Sequence, residues 1–160
     1  MEIRPYTKND EEQLNSVAVE AFLQFKDDYS DWNAIQAVVS DISALNDDAE
    51  VIVAEESGKI IGGVAFVPPR DDSRGHFEQS WASIRMLVVS PSQRGRGIGR
   101  KLTEECIKRA SKVGASFIGL HTSPIMDVAL SMYLRMGFVK VRDIDPILGV
   151  EYAIYKLDIS

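Results

Sequence analysis

One cysteine, Cys106, is the whole thiol content of this 160-residue chain. A single thiol closes no internal disulfide and builds no cysteine-based metal cluster, so no metal is expected. Long apolar runs are also missing, and none approaches the roughly 20 residues needed to span a bilayer. Met1-Glu2-Ile3-Arg4 leads straight into a strand-like segment without the apolar core of a signal peptide, which points to a cytoplasmic protein. Basic charge is in deficit: 18 Lys and Arg stand against 24 Asp and Glu, for a net charge of −6. That balance excludes general nucleic-acid binding, which needs a broad basic footprint. Repeats, linkers and low-complexity tracts are absent. What remains is an ordinary globule of one domain, residues 1–160, able to bury about two-thirds of its unfolded surface.

Against that acidic background one basic, glycine-rich stretch stands out: Gln93-Arg94-Gly95-Arg96-Gly97-Ile98-Gly99-Arg100-Lys101. It follows a β-rich run and opens an amphipathic helix carrying Ile98, Leu102, Cys106, Ile107, Ala110 and Val113 on one side. Glycines there permit a tight turn and keep side chains away from the amides. The first turn of a helix offers N–H groups without intrahelical partners, and its dipole adds about half a positive charge. Together they form a site for a phosphate or pyrophosphate. Two common phosphate motifs do not fit. Lys101 is followed by Leu102 rather than the hydroxyl of a P-loop, and Arg100 occupies the slot where a dinucleotide fingerprint needs its third glycine.

Periodicity and turn chemistry give the order β-α-α-β-β-β-α-β-α-β-β, one mixed α/β layered domain. A strand over 2–6 is followed by the capping-box spacing Thr7 to Asp10. Two helices are predicted next, the first on Leu14, Val17, Ala18, Ala21, Phe22 and Phe25 and the second over 32–45. Strands 51–54 and 60–67 make a hairpin around Ser57-Gly58, and 68–75 reads as a loop. A third long strand covers 81–89. The helix after the glycine turn stops at Gly114, and 117–121 is a short buried strand. Ser123 and Pro124 mark the start of the last helix, which Gly137 ends as a left-handed cap. Strands 139–141 and 150–157 close the chain, with Asp143 to Pro146 between them.

A second signature lies one strand beyond the glycine turn: Ala129-Leu130-Ser131-Met132-Tyr133-Leu134-Arg135-Met136-Gly137-Phe138. With Arg94 to Gly99 read as R-x-x-G-x-G and this segment as A-x-x-x-Y-x-x-x-G-F, the chain resembles the GNAT N-acetyltransferase family from Ile3 to Leu157. The resemblance implies a mixed, mostly antiparallel central sheet flanked by helices, and acetyl-CoA as acetyl donor. It implies that main-chain groups of Leu87, Val88 and Val89 pair with the pantetheine arm, as an added strand would. Gly95, Gly97, Ile98 and Gly99 would wrap the pyrophosphate, with Arg94, Arg96, Arg100 or Lys101 reaching the remaining phosphate. It makes Tyr133 the general acid that protonates the departing thiolate, a role typically worth 10²–10⁴-fold.

Two positions depart from the family pattern. Met126 stands where many relatives have Asn, and Arg85 where some have a glutamate base. Glu78 and His121 are therefore the candidate bases. Cys106 reads as a small core residue. On the acceptor side, Asp27, Asp28, Asp31, Asp143 and Asp145, with Tyr29, Trp32 and Tyr152, suggest an acidic, aromatic mouth suited to a small cationic amine. A protein N-terminus or lysine is the alternative acceptor, and a non-catalytic acyl-CoA sensor the alternative of another class. A homodimer is a further expectation, with Val150, Tyr152, Ile154 and Tyr155 either at its interface or completing the sheet.

Overall fold

The computed structural model describes residues 1–72 and 74–160; Ser73, inside the expected 68–75 loop, lies outside the described residues. Strands β1 (Glu2–Pro5), β2 (Glu50–Glu56), β3 (Lys59–Val67), β4 (Ala82–Val89), β5 (Phe117–Thr122), β6 (Val139–Ile147) and β7 (Val150–Asp158) form one sheet. Their spatial order is β1-β2-β3-β4-β5-β7-β6. Every pairing is antiparallel except β4 with β5. Helices α1 (Glu11–Leu23) and α2 (Trp32–Val39) belong to the core on one face, and α3 (Ile98–Lys112) and α4 (Asp127–Arg135) to that on the other. The expected order and mixed sheet are what the chain builds.

Alternation along the strands sorts side chains between the two layers. On β7, Val150 and Tyr152 pack with α1 and α2, while Ala153 and Tyr155 pack with α3. On β5, Ile118 and Leu120 face the α3 side, and Gly119 and His121 the other. Gly63 of β3 shows how close the layers come: a Cβ there would stand 2.6 Å from Leu14 Cδ1 of α1. On the opposite face a Cβ at neighbouring Gly62 would meet Ile98 and Leu102 of α3 at 3.2 Å. At the chain start, Arg4 binds both carboxylate oxygens of buried Asp10 at 2.8 Å, fixing β1 to the turn that opens α1. The capping box is formed, with the Thr7 N–H donating to Asp10 Oδ2 at 2.8 Å.

Three boundaries differ from the sequence expectation. The segment 32–45 is one helix ending at Val39 plus a separate 3₁₀ turn over Ile42–Asp47, because Ser40 and Asp41 compete for the backbone. The last helix begins at Asp127, four residues after Ser123. The Ser123 carbonyl first closes a turn with the Met126 N–H at 3.0 Å. Finally, β6 runs through Pro146 to Ile147, and the hairpin turn is Leu148-Gly149, both at positive φ. Because β6 is the sheet edge, a proline without an N–H need not cost it a ladder bond. Val150, Tyr152, Ile154 and Tyr155 are all buried and complete the sheet.

Two features of β4 shape the centre of the molecule. It pairs with β5 only at Ala82–Ile118 and Ser83–Gly119, after which β5 continues along β7 and β4 along β3. From Ile84 onward the β5-facing edge of β4 carries no strand, so the sheet opens into a cleft. Within that stretch the register slips: Ala65 faces Arg85 but Gly63 faces Val88, so β4 holds one extra residue. The bulge sits at Met86, whose φ of 57° is the left-handed conformation of a bulged residue.

Candidate active site

The glycine turn follows the C-terminal end of β4. Gly95 and Gly97 have φ of 80° and 76°, and a Cβ at either would meet nothing within 4 Å. Glycine is thus demanded by the backbone, not by lack of room. Gly97 is the N-cap of α3, and its carbonyl accepts the first helical bond, from the Lys101 N–H at 3.0 Å. The amides of Ile98, Gly99 and Arg100 stand ahead of that bond without intrahelical partners. This is the backbone geometry that an anion cradle requires, and it follows directly on the C-terminal end of β4.

Side chains around the cradle are engaged locally. Arg96 holds Glu56 of β2 with two bonds at 3.0 and 2.7 Å, Arg94 reaches Gln24 at 3.3 Å, and Arg100 lies 3.8 Å from Glu104. Lys101 has no ion pair among the described residues. All are exposed, and exposed pairs contribute little, so a phosphate could exchange for a carboxylate at small cost. Gly99 lies against β4. A Cβ there would be 3.6 Å from Leu87, 3.7 Å from Val89 and 3.8 Å from the Met132 sulfur of α4. The side chains of Leu87 and Val89 therefore line the α3 side of the cleft, whereas Val88 is buried toward α1.

Tyr133 projects from α4 into the core beneath α3, with its ring 5.4 Å from that of Phe138. The helix end fixes it: Gly137 at φ 103° lets the Phe138 N–H donate back to the Tyr133 carbonyl at 3.0 Å. Burial pushes the phenol above its ordinary pKa, keeping it protonated. Among the described residues its hydroxyl has no hydrogen-bond partner. Cys106, on the same face, is fully buried and pushed up to about 12, as befits an inert core thiol.

At the opposite mouth of the cleft the five aspartates are exposed as expected of solvated carboxylates, but the tyrosines are not. Asp31 caps α2 by accepting from the Ala34 N–H at 3.1 Å, and Asp143 pairs with Lys140 at 2.7 Å. Asp27, Asp28 and Asp145 are exposed. Tyr29 and Tyr152 are not surface aromatics: both are buried and their hydroxyls bond each other. Trp32 is half-buried at the start of α2. The Ser30 N–H donates to Leu148 at 2.8 Å, so the α1–α2 connection is fastened to the β6–β7 turn. Next to this seam stand His121, 5.4 Å from Tyr152, and His76, 5.5 Å from His121, ring to ring. Arg85 lies on the same side, immediately before the bulge. Glu78 is exposed on the loop leading to β4, where its carbonyl accepts from the Trp81 N–H at 3.0 Å.

The comparisons with known proteins meet this geometry. Residues 11–138 match the acetyltransferase (GNAT) family, a span holding the glycine turn, β4 and the Tyr133 segment. The chain belongs to that family. Among curated relatives it is 30% identical over 122 residues to probable N-acetyltransferase family 8 member 5 of Mus musculus, covering 75% of this chain and 52% of that one. It is 33% identical to N-acetyltransferase 8F1 of Rattus norvegicus, over 61% of this chain and 43% of that protein. The chain thus spans about half the length, or less, of these relatives. A GNAT acetyltransferase from Brucella melitensis, solved with acetyl-CoA, superposes with a TM-score of 0.70 at 25% identity, over 99% and 88% of the two chains. The PaiA N-acetyltransferase of Thermoplasma acidophilum, solved with coenzyme A, gives 0.77 at 22% identity over 98% of each.

In this GNAT chain, burial and the nearby cations Arg74, His76 and Arg85 bring the His121 imidazole down to about 4. The shift has a consequence for stability. The unfolded chain takes up a proton near the usual 6.5 while the folded one resists until about 4, so stability is complete above 6.5 and falls between the two. Acidification across that window should cost about 3 kcal/mol through this residue. Followed from pH 7 to 4, the melting temperature of the parent should fall more than that of His121→Asn; equal falls would remove His121 as the cause.

Proposed function

We propose that this protein transfers the acetyl group of acetyl-CoA directly to the primary amine of a small molecule. The opening of β4 away from β5, ending at the Gly95–Gly99 cradle, is the observation that carries the reading. It offers unpaired main chain for an amide-bearing pantetheine arm and free amides for a pyrophosphate. The thioester carbonyl would then lie at the bulge, where the N–H groups of β4 are turned out of the ladder and can stabilise a tetrahedral oxyanion.

The chemistry asks little else of the chain. The amine, as free base, attacks the carbonyl carbon; the C–N bond forms, the tetrahedral centre collapses, and the C–S bond breaks. Tyr133 donates its proton toward the departing sulfur, whose thiol has a reference pKa near 8.5. The nitrogen's surplus proton leaves on the acceptor side, past neutral His121, which a pKa of about 4 makes a relay to water and not a strong base. Glu78, exposed on its loop, is the alternative candidate to take it. Met126, half-buried at the head of α4, stands where a polar contact to the pantetheine would be, so affinity rests on main chain and pyrophosphate.

A small acceptor is favoured over a polypeptide because the α1–α2 connection is fastened to the β6–β7 turn through Ser30 and the Tyr29–Tyr152 pair. An extended chain would need that end of the groove open. Calorimetry with acetyl-CoA, and thiol release across an amine panel, test the proposal together. Saturable binding and amine-dependent release are expected. Binding without release for any amine would leave an acyl-CoA sensor, and no binding by folded protein would end the reading.

A further inference from the structure

Native proteins leave few buried polar groups without partners. Among the described residues three side-chain nitrogens are in that state: Nε of Arg85, Nδ1 of His76 and Nδ1 of His121. They are neighbours. The two imidazoles stand 5.5 Å apart, and Arg85 precedes the β4 bulge on the same side of the sheet. A cavity of about 360 Å³ has Arg85, Ser83, Trp81 and Phe77 in its wall, with His76 next to Phe77 in the chain but neither imidazole lining it. Its other two arginines are already matched: Arg70 with Asp48 at 3.6 Å and Arg74 with Asp72 at 3.2 Å. The Asp72 carboxylate is further occupied by the N–H groups of Arg74, His76 and Phe77. Asp71, the remaining acid of the wall, is exposed. Among the described residues Arg85 is left as a half-buried guanidinium without an ion pair, Asp48 and Asp72 acting on it only from a distance.

We infer that the acceptor amine also carries a carboxylate, and that Arg85 binds it, with the His76 and His121 imidazoles beside it. The inference rests on the acetyltransfer reading for the place of the amine and deepens it by naming the acceptor's second group. A guanidinium is a fork of donors matched to a carboxylate and binds it through paired N–H···O bonds. A cation drawn out of water without a partner is costly, and a ligand that supplies the missing charge recovers that cost. Arg85 is one residue from the bulge where the acyl carbonyl is placed, so amine and carboxylate must be a few bonds apart. Amino acids and their small conjugates have that form. Diamines do not, and they would bring a second positive charge against Arg85.

The test compares amino acids with their own carboxamides as acceptors, in the parent protein, Arg85→Gln and Arg85→Lys. The parent should favour the carboxylate in kcat/KM by at least tenfold, mostly through KM. Arg85→Gln should lose that preference, and Arg85→Lys should keep part of it. Acetyl-CoA affinity should stay unchanged in both variants, and the melting temperature of Arg85→Gln should not fall, since the lost cation had no ion-pair partner among the described residues. Equal use of acid and amide by the parent, or a preference that survives Arg85→Gln, overturns the inference while leaving acetyl transfer intact. A second arm is independent of turnover. N-acetyl amino acids, but not their carboxamides, should perturb the His76 and His121 ring resonances of the parent and not those of Arg85→Gln. If no amine is acetylated, those shifts alone decide: present, they uphold the anion site; absent, they overturn it.

Discussion

Tyr133→Phe is expected to lower kcat by about 10²–10⁴-fold, the usual contribution of a positioned proton donor, with KM for acetyl-CoA nearly unchanged. The substitution is unusually clean. The Tyr133 hydroxyl has no hydrogen-bond partner among the described residues, and its ring packs on Phe138. Removing one oxygen leaves no orphaned donor and no cavity, so the melting temperature should hold or rise slightly. Steady-state kinetics with paired thermal melts check this. Turnover equal to that of the parent would take Tyr133 out of the reaction. A fall in both kcat and melting temperature would mark it as structural.

The second large effect is expected at the glycine turn, where binding and stability should move in opposite directions. Gly99 is helical, and a Cβ there meets its neighbours at 3.6 Å or more, which is ordinary contact. Gly99→Ala should therefore fold well and gain up to about 1 kcal/mol from helix propensity. Yet the new methyl would project between the start of α3 and Leu87, Val89 and Met132, where it would crowd the proposed approach of a phosphate to the amides. Loss of one charge-assisted hydrogen bond, at about 1.5–3 kcal/mol, predicts about 10- to 100-fold weaker acetyl-CoA binding. Gly97→Ala should differ by losing stability as well, because φ of 76° costs any L-residue with a side chain about 1–2 kcal/mol. Calorimetry and chemical denaturation on the two variants separate the effects. Unchanged affinity in Gly99→Ala would place the ligand elsewhere.

The donor half of this site was legible in the sequence because its determinants are local. Glycines at Gly95, Gly97 and Gly99, and the left-handed cap at Gly137, act through the backbone of their own segment, so spacing alone announces them. The element order was legible for the same reason, since periods of two and 3.6 survive without knowledge of contacts. Boundaries failed where neighbouring turns competed, as at Ser40 and Ser123, or where topology forgave a proline, as at Pro146. The acceptor half was not legible. Asp31 and Asp143 were read as part of an acidic mouth, but one caps a helix and the other pairs with Lys140. Tyr29 and Tyr152 are 123 positions apart and meet only through the fold. Arg85 carried the one usable hint, a long cation inside an otherwise apolar strand. Reading it only as a missing base hid its own charge.

Gly62 and Gly63 give the two halves a mechanical connection. At that point the wall between α1 and α3 is one peptide thick, with Leu14 pressing from one side and Ile98 and Leu102 from the other. Nothing compressible lies between the helix that leads to the acceptor-side seam and the helix whose first turn holds the phosphate cradle. Neither helix can move toward the sheet at this point without pressing on backbone that the other helix backs, so the two proposed halves of the site share one spacer.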